Sequence, residues 1–584
     1  STPIKSSAAS DVYKRQILYI MKIRLLIALL IASVTITSCN DFLTEKEYDF
    51  IGPGLVGDSE DSKEYWLNGV YSTFNSGEYF LYGAFEQMWE LDSDDVTGPA
   101  WAMSGIGAGV FTEFWGYNVT WTGPYNIIHR ANQALLRVAE MGSLSEESKN
   151  DALGQLYFLR AFAYFQLVRA YGPCPIHETS VSEGDEPHKP RAAVSEVYAQ
   201  IIKDLKMAET LMFSMKSQEH KPGRPASGAA SLLLAKVYLT MASGAAPAGT
   251  EVTVLGGPAF KDENGTRVKI AKPAPITYAK SVVAGYEVFD SQEYFKLAKE
   301  KAYEVIQSGD YELFKTWGEI WKIENRNTKE HMFSLQSLSS DSSLGNSLAY
   351  NFIGLMNLTT MHRKEGGWFG LRSHWYELFE EQDARILEGV VHRWTGDPEL
   401  ETGQYRYYPE KHKDKVEAED PTYGYKKEDV YFDFDQNAIA RLTKFFCTSD
   451  PTQRYGDFPY PWLRYAEAFL IFAEAENELN GPTSDAYAEL NKIRRRSNAS
   501  DAPANMNKTE FRSFVLEERR RELALEGNRR WDLVRWGIYL PVMNDIDIDE
   551  NNVIKRRESR SLLFPIPVGE IDSNDAILEN NPGW

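Results

Sequence analysis

Tryptophans in glycine-rich or loop-rich segments are the side chains of this sequence with the most suggestive chemistry. Trp101 and Trp368 are flanked by glycines or small residues, and Trp317 and Trp321 lie in a stretch with weak helical periodicity. An exposed indole matches the apolar C–H face of a pyranose ring, whose hydroxyls suit Asp, Asn, Arg or Gln. We therefore expect Trp101 and Trp368 to form a sugar-stacking platform, with Trp317 or Trp321 as the next candidates. The alternative for each is a tryptophan of the core.

Polar partners for such a platform are expected from Asp94, Asp95 and Arg363. The two aspartates belong to the acidic stretch "ELDSDDVTG", Glu90 to Gly98. Several carboxylate oxygens in a turn can bind Ca²⁺, but the spacing of an EF-hand and its closing glutamate are absent. Asx-turn and helix-cap roles are the favoured interpretation of this stretch, and a calcium site is the alternative.

Catalytic signatures with a matching context are absent from the sequence. It contains no G-x-S-x-G, no Walker loop and no H-E-x-x-H, and its nine histidines have no ligand spacing. A hydrolase with two unrecognised carboxylates is the alternative, because sequence spacing does not show which carboxylates face each other. The arginine runs "NKIRRRSN" and "EERRRE", with Glu517 and Arg521 four residues apart, indicate ion-paired helix faces instead of anion sites. We predict a protein that is not an enzyme.

Charge and cysteine content narrow the class of partner. The chain has 63 basic and 84 acidic residues and a formal charge of −21, which argues against a nucleic-acid partner. Its three cysteines, Cys39, Cys174 and Cys447, follow neither a zinc pattern nor a disulfide framework. If Cys39 carries lipid, the other two allow at most one disulfide.

An apolar run near the N-terminus has the layout of a secretion signal. Met21 and two basic residues precede the apolar run Leu25–Ile36. As a helix this run would be about 18 Å long, which is shorter than the hydrocarbon layer of a bilayer, about 30 Å. The run ends at Ile36-Thr37-Ser38-Cys39, which resembles a bacterial lipobox, so we predict a signal peptide at 21–38 and lipidation of Cys39. Cleavage near Ser38 with a free Cys39 is the alternative. Residues 1–20 are interpreted as a non-native leader.

Two helical blocks separated by a loop-rich middle must position these side chains. Apolar periodicity is strong at about 60–243 and 459–540, where helix pairs of about 34 to 40 residues resemble tetratricopeptide packing. The middle, about 244–458, is rich in glycine, proline and charge and predicts long loops with small hairpins. No second segment is apolar for long enough to span a bilayer. The predicted fold is mostly α, a superhelix of helical hairpins with a loop-rich insertion.

Several segments together resemble one known family, the SusD-like (SusD/RagB) outer-membrane glycan-binding lipoproteins. These segments, in the family's usual order, are "LYFLRAFAYFQLVRAYGPCPI", "GRPASGAASLLLAKVYL", "LRYAEAFLIFAEAENELNG", "EERRRELALEGNRRWDLVRWG" and "LLFPIPVGEIDSNDAILENNPGW". The resemblance implies a single domain over 39–584 with tetratricopeptide-like pairs and a ligand-binding face formed by 244–458 and 89–117. It also implies no catalysis and a role as lid on a SusC-like, TonB-dependent transporter barrel that imports oligosaccharides.

The resemblance further implies a lipid anchor in the outer membrane with the protein facing the cell exterior, since acidic residues follow Cys39 as in the family's export signal. The predicted partners are an oligosaccharide or polysaccharide, the transporter and the membrane, and no cofactor is required. The alternative function is a tetratricopeptide-like adaptor that binds peptide or protein instead of sugar. An exposed arc of aromatic rings on the loop face favours the first function, and an open helical groove favours the second.

Overall fold

The computed structural model describes most of the chain beyond residue 56. The described ranges are 14–15, 18–19, 21–22, 56–74, 84–113, 116–339, 344–396, 405–426, 430–431 and 439–584. Residues Asp58–Trp584 form one compact unit. The predicted signal run and Cys39 lie outside the described residues.

Nineteen α-helices are present in the described part of the compact unit. They are α1 Glu60–Tyr71, α2 Ala84–Glu90, α3 Ala100–Met103, α4 Val119–Glu140, α5 Glu146–Tyr171, α6 Val194–Leu211, α7 Ser227–Ala245, α8 Ser291–Gln307, α9 Trp317–Ile320, α10 Leu348–Phe352, α11 Ser373–Tyr376, α12 Ala384–Leu387, α13 Lys413–Glu417, α14 Tyr465–Asn480, α15 Ser484–Arg496, α16 Lys508–Glu522, α17 Arg529–Arg535, α18 Tyr539–Ile546 and α19 Val568–Ser573.

Thirteen short strands accompany these helices within the described ranges. They are β1 Val96–Thr97, β2 Glu251–Gly256, β3 Phe260–Glu263, β4 Thr266–Lys269, β5 Ala274–Ala279, β6 His331–Leu335, β7 Met356–Asn357, β8 His362–Arg363, β9 Gly370–Leu371, β10 Arg393–Thr395, β11 Tyr405–Tyr407, β12 Val430–Tyr431 and β13 Tyr460–Arg464. The pairs β2–β5, β3–β4, β6–β13 and β1–β9 are antiparallel, and one mixed sheet has the order β12-β11-β10-β8-β7.

The long helices pack as a continuous series of neighbours. α4 contacts α5, α5 contacts α6, α6 contacts α7 and α7 contacts α8, while α14 packs on α8, α15 and α16. Each helix thus buries its apolar face against the next, as predicted for hairpins stacked as a superhelix. The predicted fold class, mostly α with small β-hairpins in a loop-rich insertion, is confirmed.

Local sequence signals explain where the core helices begin and end. α5 begins after Ser145, whose side chain accepts a hydrogen bond from the backbone N–H of Ser148, and it ends at Gly172, whose φ of 70° suits glycine. Apolar residues on both faces of α5 are buried, as predicted. Phe158 and Phe162 pack edge-to-face on Phe333 of β6, which joins the helices to the β6–β13 pair.

Helix α7 corrects one expectation about membrane spans. Ser227–Ala245 is long and apolar enough to cross a bilayer by length and composition, although the sequence analysis predicted no such segment after the signal run. Most of this helix is buried between α6 and α8, and we interpret it as a helix of the protein core.

Helix α8 lies inside the stretch that was predicted to be loop-rich. Ser291–Gln307 buries Phe295, Ala298 and Ala302, and it packs on both α7 and α14. It therefore connects the two predicted helical blocks. Cys174 and Cys447, whose pairing was left open, are free buried thiols.

Candidate functional site

Trp101 and Trp368 meet at the surface. The two indole rings have centroids 5.5 Å apart and an interplanar angle of 73°. Trp101, on the short helix α3, is 66% exposed, and Trp368 is half-buried in the segment before β9. The fold brings these two tryptophans together, although their positions are 267 apart in the sequence. Their edge-to-face geometry forms a corner with the face of Trp101 turned to solvent.

The β1–β9 pair creates this meeting point. Val96 pairs with Leu371 and Thr97 with Gly370, so the residues that follow β1 run beside those that precede β9. Gly98 lies directly against the backbone of Trp368: a Cβ atom at Gly98 would be 2.4 Å from the Trp368 carbonyl oxygen. Only glycine permits this approach without movement of one segment.

A glycine turn presents Trp368. Gly366 and Gly367 have φ values of 80° and 67°, and the Gly367 N–H donates to the carbonyl of Tyr350 at 2.8 Å. Arg363 Nη1 donates to the Gly366 carbonyl at 2.8 Å, and Arg441 Nε donates to the Gly367 carbonyl at 3.1 Å. The turn is thus held from both sides by buried guanidinium groups.

Tyr350 and Arg454 extend the two tryptophans into a row. The Tyr350 ring lies 5.2 Å from Trp368 at 81°, and the Arg454 Cζ lies 4.8 Å from the Tyr350 centroid. Burial raises the pKa of the Tyr350 hydroxyl, and the nearby Glu365 carboxylate acts in the same direction. We call Trp101, Trp368, Tyr350 and Arg454 the aromatic corner. Tyr350 and Arg454 were missed from sequence because neither lies in a motif and only the fold places them beside Trp368.

Trp317 and Trp321 are core residues, which corrects their candidacy for the platform. They are 5% and 9% exposed, and their ring centroids lie 5.7 Å apart. The Trp321 ring packs beneath the cations of Lys444 and Arg464, at 5.1 and 5.4 Å. Neither indole offers a free face to a ligand, so the core interpretation holds for this pair.

Asp94 and Asp95 are also buried, which removes them from any ligand face. Asp94 accepts two hydrogen bonds from Arg529, at 2.8 and 2.7 Å, and Asp95 accepts from Arg520 at 2.6 to 2.9 Å. Burial acts to raise the pKa of Asp94, but the guanidinium groups of Arg529 and Arg520 hold it well below its ordinary value. These carboxylates bind cations of the protein itself.

The neighbouring Asp92 completes the same arrangement. Its carboxylate pairs with Arg530 and Arg557 and accepts a hydrogen bond from the hydroxyl of Tyr539. Within the described ranges, no group of three His, Cys, Asp or Glu side chains is suited to a metal ion. Guanidinium groups pair with the carboxylates of "ELDSDDVTG", and the Asx-turn interpretation missed these ion pairs.

Arg363 supports the site from inside instead of contacting a ligand. Its side chain is 5% exposed and donates to the carbonyl of Gly366, two residues before Trp368. We therefore assign Arg363 to positioning of the glycine turn, because burial separates it from any bound sugar.

The arginine runs form ion-paired faces, as predicted. Arg519 pairs with Asp532 at 2.9 Å, Arg494 pairs with Glu518 at 2.5 Å, and Arg520 pairs with Glu517 at 3.2 Å. Arg521 pairs with Glu518 at 3.2 Å, three residues away, instead of with Glu517. The faces are structural, and the spacing of one pair was wrong by a single residue.

Comparison with known protein families finds two matches. Residues 329–584 match the model of the SusD family, and residues 105–239 match a model described as starch-binding and associating with the outer membrane. A SusD-like protein of Formosa agariphila is 21% identical over 580 residues, covering 96% of this chain and 99% of that protein. The starch-binding protein SusD of Bacteroides thetaiotaomicron is 33% identical over 129 residues, 22% of each chain.

Solved structures share the fold. A SusD homologue from Bacteroides thetaiotaomicron superposes with a TM-score of 0.68 at 22% identity, covering 90% of this chain and 97% of that one. A laminarin-binding SusD-like protein superposes with a TM-score of 0.62 at 19% identity, covering 90% and 100%. The surface glycan-binding protein A of Bacteroides uniformis has the same TM-score and identity, covering 90% and 99%.

Proposed function

Because the chain belongs to the SusD-like family, we propose that it binds oligosaccharides at the outer membrane and passes them to a TonB-dependent transporter barrel. The observation that carries the binding step is the exposed pair Trp101–Trp368, which the fold assembles from two distant segments. Three similar proteins are named as starch-binding, laminarin-binding and glycan-binding, which supports oligosaccharides as the ligand class.

The aromatic corner suits a sugar chain for two physical reasons. The exposed face of Trp101 gains from covering the C–H face of a pyranose, which water solvates poorly. Arg454 lies at the other end of the row and is exposed, so its N–H groups reach sugar hydroxyls or ring oxygens. Stacking together with directional hydrogen bonds holds a sugar without requiring a deep cavity.

The test of binding is calorimetry on Trp101→Ala and Trp368→Ala. Covering about 80 Å² of apolar surface contributes about 2 kcal/mol, so loss of one ring weakens binding about thirtyfold. Tyr303→Ala is the matched control, because Tyr303 is an exposed aromatic on α8, outside the aromatic corner. Circular dichroism verifies the fold of each variant. The ligands for this measurement come from a screen of glycans against the wild-type chain. If both tryptophan variants bind them with unchanged affinity, the aromatic corner is not the binding surface.

Retention at the membrane is proposed to occur through lipid on Cys39. The apolar run before Cys39 is too short to span the bilayer and ends at a residue whose thiol accepts an acyl group. We expect Cys39→Ala to release the protein from the membrane fraction or to stall its processing. Unchanged retention and unchanged mass of the mature chain contradict lipidation.

Delivery is proposed to depend on a SusC-like barrel partner. A stable complex of this kind buries well above about 1,000 Å². Copurification of a barrel protein with the tagged chain from native membranes is the expected result, and a monomeric extract in repeated mild-detergent preparations contradicts it.

We also propose that the chain binds glycans without cleaving them. Glu365 is the carboxylate whose charge acts on Tyr350 of the aromatic corner, and glycoside hydrolysis needs a second carboxyl group placed across the scissile bond. Release of reducing ends from a bound oligosaccharide by the purified chain contradicts this proposal.

A further inference from the structure

A cavity of about 240 Å³ lies at the C-terminal end of α5, between that helix and the start of α18. Its walls are mainly aliphatic and include Val168, Val282, Leu540, Leu563 and Pro582. The cavity shares no residue with the aromatic corner. Apolar walls of this kind favour an apolar ligand body over water.

Two charged side chains, Arg169 and Arg560, line this mainly apolar cavity, and Arg560 is already paired with Glu558 at 3.0 Å. Arg169 is 5% exposed, its Nε donates to the carbonyl of Phe165 at 3.3 Å, and its Nη2 donates to Gln166 Oε1. Among the described residues, no carboxylate forms an ion pair with Arg169, and Nη1 has no hydrogen-bond acceptor. The rings of Phe165 and Trp531, at 4.1 and 5.0 Å from Cζ, hold the guanidinium in position.

The nearest carboxylates are already neutralised by other cations. Behind Arg169 lies a buried network in which three cations pair with three carboxylates. Its members are Lys236, Arg519, Arg535, Glu467, Glu474 and Asp532. This network is balanced without Arg169, so Arg169 remains an uncompensated positive charge at the cavity wall.

An uncompensated buried cation is costly to the fold. Burial lowers the pKa of Arg169 to about 10, so the group is still protonated at neutral pH. Removing an ion from water costs several kcal/mol unless a counter-ion accompanies it. A ligand that supplies a negative charge at this wall therefore gains an interaction that the chain itself does not satisfy.

We propose that this cavity is a binding site for a small amphipathic carboxylate, with the carboxylate paired to Arg169 and the apolar body against the valine, leucine and proline walls. This site is additional to the proposed glycan function. Arg169 Nη1, which has no acceptor among the described residues, is the N–H group left to donate to a carboxylate oxygen, and the opposite charges strengthen that hydrogen bond. The aliphatic walls select an alkyl or alicyclic body that fits about 240 Å³.

Calorimetry of the mature chain with linear monocarboxylates tests the proposal. Each added methylene between butanoate and octanoate should raise the affinity about fourfold, until the cavity is full. Octanamide has the same body without the charge, and we expect it to bind at least tenfold more weakly than octanoate. Absence of octanoate binding, or equal binding of the acid and the amide, overturns the proposal.

Two variants separate the charge from the cavity. Arg169→Met keeps a long side chain but removes the charge, and it should reduce octanoate binding to the level of octanamide. The fold should tolerate it, because replacement of a buried charge by an apolar side chain is often neutral or stabilising. Leu540→Trp fills the cavity, leaves Arg169 in place and should abolish binding of both probes. Wild-type octanoate affinity in either folded variant refutes the site.

One further variant keeps this proposal distinct from the glycan function. Trp101→Ala should bind octanoate as the wild-type chain does, because Trp101 does not line the cavity. Loss of octanoate binding in Trp101→Ala contradicts the proposal that the cavity is a separate site. Loss of glycan binding alone is evidence about the proposed glycan function and leaves the cavity proposal unchanged.

Discussion

Single residues of the acidic stretch determine how the loop before β1 is held. Asp94 is fully buried and its partner Arg529 has little contact with solvent. A buried pair of this kind contributes little compared with an apolar pair of the same shape, but loss of one partner leaves a charge without compensation. The arrangement is therefore sensitive to removal of either member.

We predict that Asp94→Ala lowers the free energy of unfolding by about 3–5 kcal/mol, because Arg529 stays buried without its carboxylate. Urea denaturation followed by circular dichroism measures this. The matched control is Asp501→Ala, which breaks the solvent-exposed pair Arg495–Asp501 and should leave the denaturation midpoint almost unchanged. Equal effects of the two substitutions contradict the assignment of Asp94 to a buried network.

The exposure of a single side chain could be predicted from sequence only where its neighbours in the chain determined it. Glycines around Trp101 and Trp368 indicated exposed loops, and both residues reach the surface corner. Asp94 and Asp95 have their partners more than 400 positions away, so local sequence gave no sign of burial. The burial of Trp317 likewise depends on contacts that sequence spacing does not show.

Among the structural elements, the short strand pair β1–β9 determines the position of both tryptophans, because it joins the segment of Trp101 to that of Trp368. The contact at Gly98 is the tightest point of this junction. Helix α8 shows the opposite case: Asp290 caps it and apolar residues recur at helical spacing, so its signal was present in the sequence. Loop-rich segments on both sides obscured this signal.

We predict that Gly98→Ala separates β1 from β9, since the new methyl group meets the Trp368 carbonyl at 2.4 Å. Overpacking of this kind costs about 1–3 kcal/mol, and the altered geometry of the corner should weaken glycan binding. Gly69→Ala is the control, because a Cβ atom at this position of α1 has no neighbour within 4 Å. Wild-type stability and wild-type affinity in Gly98→Ala disprove the role of this contact.

For the whole molecule, buried carboxylates with depressed pKa values predict acid lability. Burial opposes the effect, but Arg385 and Arg521 lower the pKa of Glu518 to about 2, and Arg519 and Arg535 do the same for Asp532. A carboxylate whose folded-state pKa lies below its unfolded value stabilises the fold above about pH 4. That contribution is lost as the pH falls toward 2.

We predict that the free energy of unfolding falls by several kcal/mol between pH 4.5 and pH 2.5, at up to about 3 kcal/mol for each of these two groups. Glu90 makes a small contribution of opposite sign in this window, because burial raises its folded-state pKa to about 7 and only its unfolded form titrates there. Urea titrations at stepped pH give the slope, and Glu518→Gln should flatten it. A constant unfolding free energy over this interval contradicts the prediction.

The pairing of the acidic stretch with distant arginines also has a consequence for the order of synthesis. Asp92, Asp94 and Asp95 leave the ribosome more than 400 residues before Arg520, Arg529 and Arg557. Domains fold in the order in which their parts become available, and contacts of long sequence separation form late. We therefore expect the aspartates to remain hydrated while helices α4 to α8 pack, and the segment that carries Trp101 to become fixed only after α16 and α17 arrive. A nascent or arrested chain is then expected to form its N-terminal helices but not its aromatic corner.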